Sequence, residues 1–294
     1  MKEIHEFRIF EKYYHLLSQP NNAKFNGAVY VLNISKEDPL FQEIGVIYEK
    51  LIKEKKFFFS SWQVKRSYTK KEIADAKLFW FKIKTAFEPT GEECGTIYDE
   101  TVACEICGAN RKQIGPLKLK KGSIPQKDIV RTIVGEIIVS ERFVTTFSKR
   151  RLEGMSFGPV VFGKEISSNY YQLVTSSPEL ELTSRTVVGS HPFDLSTSDI
   201  EASEYTICGY KLKSEKIIRK CPKGHNIGSR LISEPYVFNS PSINVYDFFI
   251  SKQKIGSKQG LFRPEPIYFC SQAFRNMVEE EKLSGFDFEI THIE

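Results

Sequence analysis

Hydrophobic and polar residues follow strand and helix spacings in turn along the first 88 residues. The run Val29–Ile34 has the apolar, β-branched composition of a strand. Asp38 followed by proline is typical of a helix start, and apolar side chains in residues 40–52 then recur on one helical face. Leu78–Ile83 returns to strand composition. The pattern predicts a mixed α/β region over residues 1–88.

One pattern of hydrophobic and polar residues occurs twice in the rest of the chain. Residues 139–157 read VSERFVTTFSKRRLEGMSF, and residues 270–288 read CSQAFRNMVEEEKLSGFDF. The identical positions lie at a constant offset and are Ser140 and Ser271, Phe143 and Phe274, Leu152 and Leu283, Gly154 and Gly285, and Phe157 and Phe288. Each copy predicts a strand, a helix capped by serine, a glycine after the helix and a second strand. Because an internal repeat marks related structural units, we expect two related halves, each with a small β-α-β repeat unit.

The repeat also places one cysteine and organises the chain. Cys270 stands where the first copy has Val139, so we expect Cys270 in the core and not on a metal.

The predicted fold class is α+β, with the two related halves joined by a zinc-knuckle region. We expect an N-terminal α/β region over residues 1–88. Residues 89–162 hold the first cysteine cluster and first repeat copy, and residues 163–294 hold the second Cys/His cluster and second copy.

Composition narrows the class of protein. The 294 residues carry a formal net charge of +5, which permits weak attraction to acidic partners without demanding it. No apolar run approaches the roughly 20 residues that span a bilayer, and the charged N-terminus lacks the apolar segment of a signal peptide. We therefore expect a cytoplasmic protein with no membrane partner. Six cysteines are too sparse for a disulfide scaffold, and in a reducing compartment clustered cysteines indicate metal ligands.

The spacing of the cysteines is the clearest chemical signal. Cys104-Glu-Ile-Cys107-Gly108 has two thiols separated by two residues and followed by glycine, which is the spacing of a zinc knuckle. Cys221-Pro-Lys-Gly-His225 is a similar motif with histidine in the last place. With two further Cys-Gly pairs, the candidate metal ligands are Cys94, Cys104, Cys107, Cys208, Cys221 and His225.

A structural zinc site takes four ligands, so the six candidates allow more than one grouping. One grouping joins Cys104 and Cys107 to Cys221 and His225, and would clip the two halves together. Another combines Cys94, Cys104 and Cys107 with one ligand from the second cluster. The remaining interpretation is that these are ordinary buried or free thiols. A cysteine-rich set favours structural over catalytic zinc, because catalytic sites keep an open position and usually use histidine and carboxylate ligands.

The other motifs do not indicate a reaction. No paired carboxylates, phosphate loop or nucleophile–base motif stands out, so we expect a protein that is not an enzyme. Leu117-Lys-Leu-Lys-Lys-Gly122 is a basic alternation that suits either phosphate contacts or an edge strand. Lys149-Arg-Arg151 of the first copy corresponds to Glu280-Glu-Lys282 of the second. A nucleic-acid site spanning both copies is therefore not expected.

The cysteine motifs and the repeat endings together resemble a known group of proteins. The chain has a CxxCG knuckle at residues 104–108, a second Cys-Gly element at Cys208, and the ending L-x-G-x-x-F at residues 152–157 and 283–288. This combination is similar to the bacterial double-CxxCG proteins and related immunity families of polymorphic toxins. The chain departs from the pattern at Tyr205, where the family has cysteine. The resemblance implies a cytoplasmic protein that binds and neutralises one cognate toxin without catalysis, and it assigns no interface residues.

Two functions follow as hypotheses. The first is a non-catalytic immunity protein with a structural zinc site, whose partner is a cognate protein toxin. The alternative is a nucleic-acid-associated zinc-binding protein, suggested by a pI of about 8.7 and the lysines of residues 118–121. We regard nucleic acid as the less favoured partner, since the charges of the two repeat copies differ.

Overall fold

The computed structural model describes residues 1–18, 23–54, 56–196, 198–207, 210–214 and 216–294, with side chains of 203–207 and 210–214 outside the description. These residues divide into two compact units, Met1–Asp75 and Ala76–Glu294. Each unit has its own sheets and buried core.

The first unit is a four-stranded antiparallel sheet with one long helix. In chain order its elements are β1 (Lys2–Phe10), α1 (Glu11–Tyr14), β2 (Lys24–Phe25), β3 (Val29–Ile34), α2 (Pro39–Lys53), β4 (Phe59–Ser67) and α3 (Lys70–Asp75). The strand order is β2-β3-β1-β4. The predicted strand at Val29–Ile34 is therefore confirmed.

Helix α2 begins where the sequence predicts and packs its apolar face on the sheet. The Asp38 side chain accepts a hydrogen bond from the Leu40 N–H at 2.9 Å, which satisfies one of the free N–H groups at the helix start. Phe41 lies against Phe7 of β1, with ring centroids 6.1 Å apart. Ile44 is fully buried in the same layer. Burial of this face, more than helix propensity, stabilises a helix of this length.

A partly buried carboxylate gives this unit a testable dependence on pH. Glu3 lies 3.1 Å from Nε2 of His5, 2.8 Å from Nε of Arg66 and 3.4 Å from Nζ of Lys36. The hydrogen bond to His5, helped by the charges of Arg66 and Lys36, outweighs burial and lowers the pKa of Glu3 from 4.5 to about 2. Because the folded pKa is the lower one, this stabilisation is present above about pH 4.5 and is lost as pH falls toward 2.

We expect Glu3→Gln to lower the unfolding free energy of the first unit at pH 7 by on the order of 2 kcal/mol and to have a much smaller effect near pH 2.5. Thermal unfolding at both pH values measures this difference. The exposed Glu49 on α2 supplies a control, Glu49→Gln, with less effect at either pH. An equal loss of stability by Glu3→Gln at both pH values would contradict the assignment.

The described part of the second unit contains two larger sheets, three two-stranded sheets, two α-helices and one 3₁₀ helix. Its elements in chain order are β5 (Leu78–Ile83), β6 (Ala86–Phe87), β7 (Ile97–Asp99), β8 (Lys112–Ile114), β9 (Leu117–Lys118), β10 (Ile129–Thr132), β11 (Ile137–Ser140), α4 (Glu141–Lys149), β12 (Met155–Phe162), β13 (Glu165–Thr175), β14 (Val188–Gly189), β15 (Ser203–Ile207), β16 (Tyr210–Ser214), β17 (Arg230–Leu231), β18 (Tyr236–Val237), a 3₁₀ helix (Pro241–Asn244), β19 (Phe248–Ile255), β20 (Glu265–Ser271), α5 (Gln272–Glu280) and β21 (Phe286–Ile293). The six-stranded sheet has the order β6-β10-β11-β13-β12-β9, and the five-stranded sheet has the order β18-β21-β5-β20-β19.

Each repeat copy forms a strand, a helix and a second strand, as predicted. In the first copy α4 connects β11 to β12, and both strands are antiparallel to β13, which lies between them. In the second copy α5 connects β20 to β21, and both are antiparallel to β5. The side chains of Ser140 and Ser271 each cap a helix, accepting from Phe143 N and Phe274 N at 3.1 Å. In both copies the helix thus crosses over one intervening antiparallel strand.

Asp128, just before β10, binds residues of both repeat copies. Its Oδ1 accepts from the Ser140 hydroxyl at 3.0 Å, and its carbonyl accepts from the Ser140 N–H at 3.0 Å. Its Oδ2 accepts from the N–H and hydroxyl of Ser284 at 2.7 and 2.9 Å. One carboxylate therefore holds the helix start of the first copy and the loop between α5 and β21 of the second.

Asp247, just before β19, makes the reciprocal contacts. Its Oδ1 accepts from the Ser271 hydroxyl at 2.6 Å, and its carbonyl accepts from the Ser271 N–H at 2.9 Å. Its Oδ2 accepts from the Glu153 N–H at 3.0 Å. The two copies are thus locked together by two equivalent sets of hydrogen bonds.

The glycines of the two L-x-G-x-x-F endings are needed for this interlock. Gly154 has φ +108°, and a Cβ there would lie 2.5 Å from the Phe248 carbonyl oxygen. Gly285 has φ +102°, and a Cβ there would lie 2.2 Å from the Ile129 carbonyl oxygen. Each glycine therefore combines a left-handed conformation with close approach to the strand that precedes the other copy.

The segment between β6 and β10 is anchored to the six-stranded sheet by a buried carboxylate. Glu136 accepts from the Gly91 N–H at 3.1 and 3.0 Å and from the Tyr98 hydroxyl at 2.6 Å. In the same segment β9 lies at the edge of the sheet, with Lys121 three-quarters exposed beyond it. Of the lysine alternation, Leu117–Lys118 thus forms an edge strand, and the phosphate-contact interpretation stays a prediction.

The α+β class is confirmed, since the described chain is mostly strands with few helices and has several sheets. The division into regions 1–88, 89–162 and 163–294 stays a prediction. Strand β5, which the sequence groups with the N-terminal region, pairs with β20 and β21 of the second unit. Cys270 lies in β20 and is fully buried, as its match with Val139 predicts.

Candidate metal centre

The first cysteine motif forms a tight turn. The Cys104 N–H donates to the Ala109 carbonyl at 2.8 Å, and the Gly108 N–H donates to the Cys104 carbonyl at 2.7 Å. Gly108 has φ +67° and Asn110 has φ +69°, a conformation that glycine and asparagine adopt more easily than other residues. The turn places the sulfurs of Cys104 and Cys107 on the same side.

The second motif closes in the same way although its sequence differs. The Cys221 N–H donates to the Asn226 carbonyl at 2.9 Å, and the Gly224 N–H donates to the Cys221 carbonyl at 2.9 Å. Gly224 has φ +76°. In both turns the N–H of the cysteine that begins the turn, Cys104 or Cys221, therefore donates to the carbonyl of the residue five positions later.

The buried Asn226 fixes the second turn to the five-stranded sheet. Its side-chain amide donates to the Gly256 carbonyl at 2.6 Å, and its Oδ1 accepts from the Gly228 N–H at 3.1 Å. The His225 carbonyl accepts from the Lys254 N–H of β19 at 2.8 Å. The turn is thus held by the sheet independently of its cysteine.

The two turns face each other and bring four ligand-type side chains together. The sulfurs of Cys104 and Cys221 are 3.8 Å apart, and the Cys221 sulfur is 3.9 Å from Nδ1 of His225. With Cys107 included, all four ligand atoms lie within 4.8 Å of one another. The three cysteines are buried, with at most 7% exposure, and His225 is half-buried. These four residues could bind a metal ion.

The surroundings of the Cys104 and Cys107 sulfurs shift the pKa values of the two thiols in opposite directions. Burial raises the pKa of Cys104, but hydrogen bonds to its sulfur from the Cys107 N–H, the His225 side chain and the Ile106 N–H outweigh burial and lower this pKa to about 6. Burial is the main cause that raises the pKa of Cys107 to about 12. Polar N–H groups therefore already point at one sulfur of the turn, as they do at metal-bound thiolates.

Charged side chains join the two turns at their outer side. Nζ of Lys223 lies 3.0 Å from the Glu105 carboxylate, which connects the second turn to the first. Nζ of Lys254 donates to Oδ1 of Asn110. The Arg263 side chain packs on Gly108, where a Cβ would lie 2.7 Å from Cδ of Arg263. Exposed pairs such as Lys223–Glu105 contribute little stability, so the convergence of the buried side chains is the main feature.

The structure separates the six candidate ligands. Among the described residues, the converging metal-ligand group consists of Cys104, Cys107, Cys221 and His225, which is the first of the two groupings considered from the sequence. Cys94 is half-buried and is not a member of this group. Cys208 lies outside the described residues. The supporting roles of Asn226 and Arg263 were not predicted, because no local motif marks a side chain that binds a distant carbonyl or packs on a distant turn.

No protein-family model matches the chain, and no curated protein matches it either. Across the described ranges, no helix has the length and apolar character needed to cross a bilayer. The Cys₃His group is the main chemical feature of the described residues.

Proposed function

We propose that Cys104, Cys107, Cys221 and His225 hold one structural zinc ion. In a tetrahedral site with Zn–S bonds of about 2.3 Å, two sulfurs lie about 3.8 Å apart, which matches the distance between Cys104 and Cys221. Three thiolates and one imidazole form a complete four-ligand set of the structural type. Such an ion would join two turns that are over a hundred residues apart in the chain.

We further propose that the second unit consists of two related halves. The strands correspond in order and direction: β9 is parallel to β12 as β18 is to β21, and β10 is antiparallel to β11 as β19 is to β20. The central strand is β13 in one sheet and β5 in the other. The matched contacts of Asp128 and Asp247 support the same duplication. The repeat is then a scaffold, which the zinc ion braces.

On this scaffold we propose a non-catalytic binding protein of immunity type that neutralises a cognate protein toxin in the bacterial cytoplasm. The observation that carries this function is the buried Cys₃His group, because it contains the CxxCG knuckle of residues 104–108, which is one of the motifs through which the chain resembles immunity families. A four-ligand structural site stabilises a fold and leaves the surface to a partner.

Co-expression with the product of the adjacent gene tests this function. We expect the protein to restore growth of cells that express this product and to form a complex with it that survives gel filtration. The matched control is the Cys104→Ser variant, which should protect less because its fold is weakened. Undiminished toxicity together with the absence of a complex would rule out the immunity role.

A further inference from the structure

Lys254 of β19 contacts both turns of the metal site. Its N–H donates to the His225 carbonyl at 2.8 Å, and its carbonyl accepts from the Ile227 N–H at 3.1 Å, so its backbone is bonded to the second turn. Its side chain reaches the first turn, where Nζ donates to Oδ1 of Asn110. Asn110 follows Cys107 by three residues and has φ +69°. One lysine therefore binds both of the turns that carry the ligands.

The proposed ligand set is negatively charged when it holds a zinc ion. Three thiolates outweigh the charge of one divalent ion, and a neutral imidazole adds none. The three cysteines are at most 7% exposed, so water screens this charge poorly. A buried charge without a compensating partner is unfavourable. The site therefore favours a positive side chain close to the sulfurs.

Other cationic side chains beside the turns are paired or exposed. Nζ of Lys223 lies 3.0 Å from the Glu105 carboxylate. Nη2 of Arg263 lies 3.3 Å from the Glu100 carboxylate. Lys258, whose side-chain stem packs on the first turn, is exposed. Carboxylates therefore already offset the first two charges, and solvent screens the third.

Lys254 differs from these cations in its surroundings. It is half-buried, and its Nζ donates to the neutral amide oxygen of Asn110. Burial lowers the pKa of Lys254, and the negative charges of Glu179 and Cys107 act in the opposite direction. Glu179 is exposed, so solvent screens its charge, whereas Cys107 is fully buried. The Lys254 ammonium is therefore a partly buried charge whose buried countercharge is the Cys107 thiolate.

We propose that Lys254 compensates the negative charge of the zinc-bound thiolates and so raises the affinity of the site for zinc. Residues outside a metal's ligand set commonly act in this way, and their loss typically costs about 10–100-fold in affinity. Lys254 acts through the ligands and is not itself one, because an ammonium has no acceptor atom. This inference rests on the proposed zinc site, for which it names the residue that balances the charge.

The affinity for zinc measures this effect directly. In competition with a chromophoric chelator, Lys254→Met is expected to bind zinc at least about tenfold more weakly than the wild-type protein. Lys254→Arg retains the positive charge and should stay within about threefold of the wild-type affinity. Lys252→Met is the matched control. It removes an exposed charge of the same strand, 3.6 Å from Glu181, and should change the affinity by less than about twofold.

Melting temperatures with and without zinc separate charge compensation from a general role in the fold. Without zinc the thiols carry less negative charge, so Lys254→Met should leave the melting temperature of the zinc-free protein within about 1 °C of the wild-type value. The same substitution should lower the melting temperature of the zinc-loaded protein by about 3–5 °C, because weaker binding contributes less to folding. A merely structural role would lower both melting temperatures equally.

Four results would overturn the inference: wild-type zinc affinity in Lys254→Met, an equal loss of affinity in Lys254→Arg, an equal loss in Lys252→Met, or equal effects of Lys254→Met on the melting temperatures with and without zinc. If the wild-type protein binds zinc and Lys254→Met leaves the affinity unchanged, the zinc site stands and the role of Lys254 is wrong. If the wild-type protein binds no zinc, the zinc site and this inference fail together.

Discussion

Replacing Cys104 with serine is expected to abolish stoichiometric zinc binding and to lower the unfolding free energy of the second unit by about 3–5 kcal/mol or more. The Cys104 sulfur lies 3.8 Å from the Cys221 sulfur, so its loss removes one of four ligands and leaves a buried hydroxyl among two thiols. Because a structural ion binds only the folded site, its binding free energy contributes to folding. We expect the wild-type protein to contain about one equivalent of zinc, measured by elemental analysis alongside thermal unfolding.

Cys94→Ser is the matched control for this prediction. Cys94 is half-buried and lies outside the four-residue group, so this variant should keep its zinc and nearly all of its stability. Removing zinc from the wild-type protein with a chelator should lower its melting temperature toward that of Cys104→Ser. Wild-type protein purified without chelator and free of zinc, or a Cys104→Ser variant with an unchanged melting temperature, would refute the structural zinc site.

Among the described glycines with positive φ, Gly285→Ala is expected to be the most damaging substitution, lowering the unfolding free energy by more than about 3 kcal/mol. The residue has φ +102°, where a side chain is strained in any surroundings. The added Cβ would also lie 2.2 Å from the Ile129 carbonyl oxygen, which belongs to a strand and cannot move like a flexible side chain. The backbone must shift, and the contacts of Ser284 with Asp128 shift with it. Chemical denaturation measures the loss.

Substitutions at two other glycines separate the cost of the left-handed conformation from the cost of the close contact with a backbone oxygen. Gly122→Ala is the control for conformation alone, since Gly122 has φ +83° with nothing within 4 Å of an added Cβ, and should cost about 1–2 kcal/mol. Gly154→Ala should be nearly as damaging as Gly285→Ala, because its Cβ would lie 2.5 Å from the Phe248 carbonyl oxygen. Equal costs for Gly122→Ala and Gly285→Ala would show that close approach is unimportant.

Local elements were predictable where one stretch of chain carries its own signal. The start of α2 follows from Asp38 and proline, and the serine caps of α4 and α5 follow from residues next to each helix. The repeat predicted two strand-helix-strand units, but its assignment of the glycine to the end of the helix is wrong. The left-handed residue directly after each helix is Arg151 or Lys282, and Gly154 and Gly285 follow three residues later with φ +108° and +102°. The repeat could not predict that β5 is the central strand of the second copy's sheet, since pairing of distant strands leaves no local pattern.

The sequence predicted the local turns of the candidate metal site but did not predict which turns meet. The spacing of Cys104 and Cys107 indicates one turn, and the glycine before His225 indicates another. Which turns meet depends on where the sheets place them, and the choice between Cys94 and the Cys221 motif remained open for that reason. The Arg263 side chain has no motif at all, because its role depends on Gly108 being a neighbour in space.

By itself the sequence determined the identity of several local units: the N-terminal caps of α2, α4 and α5, the duplicated segment, the cysteine turns and the buried place of Cys270. Only the tertiary structure decided how these units meet. It brought Cys221 and His225 to Cys104 and Cys107, and it set each repeat glycine against the strand that precedes the other copy. The physical reason is that caps and turns depend on backbone hydrogen bonds within a few residues, whereas a ligand set and a close backbone approach depend on the packing of whole sheets.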